Sequence, residues 1–99
     1  MDIRIQALHF DATEKLQDFI QKKVSKLEKY SDNIVDAEVV LKIVKPETAN
    51  NKEASVKLNV KNGDFFAGKT ADTFEEAIDL AVEALEKQIR KFKEKTSPK

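Results

Sequence analysis

Two stretches of the chain place apolar residues at helical spacing, and three others alternate them at the period of a strand. In the second helical stretch, Thr73 to about Lys95, Phe74, Ile78, Ala81, Leu85, Ile89 and Phe92 fall on one side at about 100° per residue, with Ala77 and Val82 flanking them. That is the stripe of a helix lying on a core. In the first, about Thr13 to Tyr30, Leu16, Phe19, Ile20, Val24, Leu27 and Tyr30 share a face. Asp11 or Thr13 can cap its start, and Asp72 or Thr73 can cap the last helix, each choice there having a Glu three residues on.

The strands read as follows. Ile3, Ile5 and Ala7 alternate with Arg4 and Gln6. Ala37, Val39, Leu41 and Ile43 alternate with Glu38, Val40, Lys42 and Val44, up to Pro46 and a polar loop. Ala54, Val56, Leu58 and Val60 alternate with Ser55, Lys57, Asn59 and Lys61. Asn62-Gly63 predicts a type I′ hairpin into a fourth strand, Asp64 to Thr70, in which Phe65 and Phe66 point to opposite faces and Gly68 is a candidate bulge. The order is β-α-β-β-β-α. One apolar side per helix predicts a two-layer α+β sandwich: a four-stranded mixed sheet with both helices on one face, the first two strands parallel if adjacent. The other sheet face is expected to carry Arg4, Lys42, Lys57 and Lys61. Residues 1–95 form one domain in this reading, and 96–99 a frayed tail.

Composition narrows the function more than the fold. The chain has 99 residues, 40% hydrophobic and 36% charged, with net charge +0, so any pull on nucleic acid must come from local segregation of charge. It has no cysteine, which removes disulfides, thiolate nucleophiles and cysteine metal sites. No run approaches the ~20 apolar residues of a membrane span, and MDIRIQALHF does not read as a signal peptide, so a cytoplasmic protein is expected. His9 stands alone, a surface or structural histidine without further metal ligands. Gly63 and Gly68 are the only glycines, too few for a phosphate-binding loop. The expectation is no enzyme, no metal, no cofactor and no small-molecule substrate.

Charge segregates on the helices. Between Asp72 and Glu86 there are six acids and no base; from Lys87 to Lys99 there are six bases and one acid, Glu94. This order complements the helix dipole, which explains much of it. Lys87, Lys91 and Lys95 also form one ridge at i, i+4, i+8. On the first helix Lys15, Lys22, Lys26 and Lys29 gather on one flank, and Lys23 falls beside the apolar arc, where it must snorkel outward. Rigid bases of this kind suit phosphate backbones. The residues by themselves describe a small α+β domain with a basic helical side, an RNA or ribosome binder. A protein-interaction module using Glu75, Asp79 and Glu83 or an edge strand is the alternative. Few large apolar residues are left for an outer patch, Val40 and Val44 excepted, so the free protein is expected to be a monomer.

FDATEKLQDFIQKKVSKLEKY, AEVVLKIVK and NGDFFAGKTADTFEEAIDLAVEALEKQIRKFKEK resemble the ribosome hibernation promoting factor family, which includes the ribosome-associated translation inhibitor and was once called sigma-54 modulation protein. The resemblance spans about residues 3 to 95. It implies a fold like a double-stranded-RNA-binding domain. It implies a partner, the small ribosomal subunit, bound in the channel between head and body over the mRNA and tRNA sites, and a role in silencing and protecting idle ribosomes in stationary phase or stress. The family's rRNA-binding bases fall on Lys23, Lys26, Lys29, Lys87, Lys91 and Lys95, with Lys22 and Arg90 beside them. Ala84-Leu85-Glu86-Lys87 stands where many members have K-L-E-R, and Glu94 where a basic or neutral residue is common, which implies a weaker or shifted second-helix contact. The fourth strand is read as one residue shorter than in some relatives, and the end at Lys99 resembles the short form of the family.

Overall fold

The computed structural model describes residues 2–8, 11–30, 34–44, 51–61 and 63–96, with side chains as far as Phe92 on the last helix. His9, the turn expected at 31–33, Pro46 with its loop, Asn62 and residues 97–99 lie outside the described residues. The elements are β1 (Asp2–Ala7), α1 (Glu14–Ser25) continued by a 3₁₀ turn (Lys26–Lys29), β2 (Ile34–Ile43), β3 (Lys52–Val60), β4 (Gly63–Ala71) and α2 (Phe74–Thr96).

The sheet order is β1-β2-β3-β4. β1 runs parallel to β2, and the remaining pairs are antiparallel. Ala37, Val39 and Leu41 of β2, Ala54, Val56 and Leu58 of β3, and Ala67 and Ala71 of β4 point to one side. There they join Leu16, Ile20, Val24 and Leu27 from the first helix and Ala77, Ile78, Ala81, Leu85 and Ile89 from α2 in one cluster. Both helices therefore cover the same sheet face, as the single stripe on each requires. The caps resolve to threonine: Thr13 Oγ1 accepts from Leu16 N and Thr73 Oγ1 from Glu76 N, each at 3.1 Å.

Several expectations need correction. The first helix is not α-helical to Tyr30; its last turn, Lys26–Lys29, tightens to 3₁₀, a common helix ending, and still buries Leu27. The β3–β4 register runs unbroken through Gly68, so no bulge lies there. The irregularity is in β2, where Ile34 faces Val60 and Asp36 faces Asn59. Val35 is the extra residue; Ile34 packs on the core and Val35 is left exposed. Because Val60 pairs with Gly63, Gly63 belongs to β4 and not to the hairpin turn expected at Asn62-Gly63, and Lys61 is already in the turn. Gly63, at φ +147, begins β4 in a conformation that L side chains rarely adopt. Lys61 thus belongs to the turn and not to the sheet face. β4 is longer than expected at nine residues. Phe92 continues the α2 stripe but is 48% exposed, its ring in a T-shaped contact with Phe65 at 5.7 Å.

The outer sheet face is mixed in charge, not basic. Arg4 lies 3.3 Å from Asp36 and 3.5 Å from Glu38, Lys42 lies 3.9 Å from Glu53, and Lys57 lies 3.8 Å from Asp64. Asn59 Nδ2 donates to Asp36 Oδ1 and, at 3.1 Å, to Glu38 Oε2. Phe66, 57% exposed, is a large apolar residue on this face, lying beside Gly68.

Truncating the core where both layers meet has a defined cost. Ile78→Ala, at a fully buried site, is expected to lower unfolding free energy by about 2–5 kcal/mol. Val35→Thr, at the exposed bulge, is expected to stay within about 0.5 kcal/mol. Urea denaturation of the two variants checks both; a similar loss in each contradicts the assigned core.

Candidate nucleic-acid interface

The direction of the helices decides where the bases go. Lys23 Nζ lies 3.0 Å from Asp79 Oδ1, and the Arg90 guanidinium lies 5.5 Å from the centre of the Tyr30 ring. Residues 23 to 30 thus run alongside 79 to 90 in the same sense, so the two helices are parallel. Their C-terminal ends, the negative ends of their dipoles, lie at one end of the helical layer. The bases of both second halves are brought to that end, and the first-turn acids of α2, Glu75 and Glu76, to the other.

The candidate residues then separate by what they touch. Lys22, Lys26 and Lys29 on the first helix are exposed and make no ion pair among the described residues. The same holds for Lys87 and Lys91 on α2. Lys87 and Lys91 line a shallow hollow with Gln88 and Arg90, and Gln88 Nε2 donates to the Phe66 carbonyl at 2.9 Å, tying this part of α2 to β4. Lys95 lies on α2, its side chain outside the described residues.

Lys23 and Arg90 are engaged within the protein. Lys23 snorkels out of the apolar arc, its Nζ 5.5 Å from the Phe19 ring centre, and reaches Asp79; the two side chains are 33% and 51% exposed. Arg90 is held between Tyr30 and Glu86, whose Oε2 is 2.9 Å away, an i,i+4 pair. A groove of about 410 Å³ separates the helices, with Lys23, Lys26, Lys29 and Tyr30 on one wall and Asp79, Glu83 and Glu86 on the other. The Glu86–Arg90 pair is visible as sequence spacing. Asp79 opposite Lys23 carries no sequence signal, since the two are far apart in the chain.

The arrangement presents exposed ammonium groups on two rigid helices, and among the described residues no group of three or more His, Asp or Glu is placed to hold a metal ion.

The sequence and the fold are similar to those of known proteins. The family model described as Sigma 54 modulation protein / S30EA ribosomal protein matches residues 3–97. The ribosome hibernation promotion factor of Bacillus subtilis (strain 168) is 34% identical over 101 residues, which cover 100% of this chain and 52% of that protein. The ribosome hibernation promoting factor of Escherichia coli (strain K12) is 33% identical over 95 residues, 96% of each. The chain spans about half the length of the Bacillus subtilis relative and of a Deinococcus radiodurans one, and nearly all of the Escherichia coli one. Among solved structures, the Thermus thermophilus Protein Y N-terminal domain superposes with a TM-score of 0.79 at 27% identity, over 93% of this chain and 99% of that one. A ribosomal subunit interface protein from Coxiella burnetii shares the fold, with a TM-score of 0.83 at 22% identity over 94% of this chain and 98% of its own. With the family model covering all but the ends, the chain belongs to the Sigma 54 modulation protein / S30EA ribosomal protein family.

Proposed function

We propose that this protein binds the small ribosomal subunit in the mRNA and tRNA channel and thereby silences and protects idle ribosomes. The observation that carries the reading is the gathering of Lys22, Lys26, Lys29, Lys87 and Lys91, unpaired among the described residues, on two parallel helices with a common C-terminal end. The names of the relatives, hibernation factors among them, point to the ribosome. Lys23, Arg90 and Lys95 complete the proposed rRNA-binding set. Ammonium groups on rigid helices fix the protein to the phosphate backbone without reading base sequence. Inhibition then follows from occupying the channel. The protein acts in the cytoplasm and is a monomer when free; among the described residues no helix is long and apolar enough to cross a membrane.

Two measurements test this. Lys87→Glu with Lys91→Glu is expected to weaken ribosome co-sedimentation by about tenfold or more. It should also flatten the log–log salt dependence by roughly 0.7 to 0.9 per lost contact. Lys57→Glu with Lys61→Glu makes the same charge change on β3 and the adjoining turn, and should matter much less, since distant charges are screened beyond about 8–10 Å. Equal losses from the two pairs, at matched melting temperature, contradict the assigned surface. Separately, inhibition of translation in vitro should saturate at about one protein per ribosome, as occupancy without turnover requires. Full inhibition at amounts far below the ribosome concentration contradicts it. If binding instead survives nuclease treatment of the extract, with ribosomes digested, the partner is a protein.

A further inference from the structure

Two bases of the proposed set, Lys23 and Arg90, face RNA only by leaving an acid of the protein itself. Asp79 lies 3.0 Å from Lys23 and Glu86 lies 2.9 Å from Arg90. Both acids stand on the α2 wall of the groove between the helices. A phosphate entering from the α1 side meets Lys23 already neutralised, and a negative wall behind it. The two cations are also placed by a second kind of contact. Lys23 lies 5.5 Å from the Phe19 ring centre and Arg90 5.5 Å from that of Tyr30. Each ring gives its cation a contact at the groove that does not depend on the charge of the carboxylate. The carboxylates are thus not the sole contacts that position the bases, while they do oppose an incoming anion.

We propose that Asp79 and Glu86 are affinity-setting residues: counter-ions that hold Lys23 and Arg90 in the free protein and are exchanged for RNA phosphates on binding. The proposal rests on the ribosome-binding reading above and adds to it the residues that limit its strength. Asp79 is half exposed and Arg90 is mostly exposed, so each pair is weak and exchange is easy. Pairs of this kind compete by about 2- to 5-fold each. The consequence is a protein whose hold on the ribosome is kept reversible by its own acids.

The test is ribosome binding across a salt series for Asp79→Asn with Glu86→Gln, and for each single variant, so that loss of fold in one leaves the others informative. The double variant is expected to bind about 4- to 25-fold more tightly at low salt. Its log–log salt slope should steepen by up to about 0.7 to 0.9 for each freed base. Glu75→Gln with Glu76→Gln removes the same charge from the first turn of α2, where both residues are exposed and without an ion pair among the described residues; it should change affinity by less than about 2-fold. Unchanged or weaker binding by the folded Asp79 and Glu86 variants overturns the proposal, as does an equal gain from the control pair, which would reduce the effect to net charge. A wild-type protein that does not bind ribosomes removes the ribosome reading itself. A wild type that binds, with no gain in the variants, removes only the counter-ion proposal.

Discussion

The burial of two helices on one face of a four-stranded sheet is the constraint on which the rest depends. Leu58 and Val56 on β3, Ile20 and Leu27 on the first helix and its 3₁₀ turn, and Ile78 and Leu85 on α2 are all fully buried in one cluster. Helices that each follow a strand of the same direction, and return over the same face, must run parallel to one another. The charge asymmetry along α2 would otherwise be a local matter of dipole compensation. Parallel packing turns it into a property of the molecule, with basic ends side by side and acidic starts behind them.

The same geometry explains how a chain with no net charge can present a basic end. Its acids are not spread evenly. On the outer sheet face they pair with Arg4, Lys42 and Lys57, and within the groove Asp79 and Glu86 pair with Lys23 and Arg90. The bases left without a described ion-pair partner include Lys22, Lys26, Lys29, Lys87 and Lys91 in the helices' second halves, besides Lys15, Lys61 and Lys69 elsewhere. Exposed pairs contribute little stability, so their importance is in which cations they leave available.

Much of this was legible in the sequence. Period-2 and period-3.6 spacing gave the element order, and the apolar stripes on residues such as Leu16, Ile20, Ile78 and Leu85 placed both helices on one face. The misses have physical causes. Periodicity gives the direction of Phe92 but not its burial; it packs in a T-shaped contact on Phe65 of β4 and stays 48% exposed. Ile34 and Val35 are both apolar, so their pattern does not say which turns outward; the bulge does. Counting bases on alternate strand positions finds Lys42 and Lys57, but their acidic neighbours Glu53 and Asp64 come from cross-strand register and the adjacent strand, which a one-strand reading cannot see. The candidate bases themselves were found by helical spacing and by family resemblance. Which of them are free and which are held is a tertiary fact, carried by Asp79 and Tyr30.

The orientation of the bound protein tests the account most directly. In a cryo-EM map of the protein on the small ribosomal subunit, the account predicts Lys26, Lys29, Lys87 and Lys91 against rRNA phosphates, with the outer sheet face that carries Arg4, Lys57 and Phe66 turned away from that contact. A map with the outer sheet face against the RNA backbone, and the C-terminal ends of both helices in solvent, would contradict it.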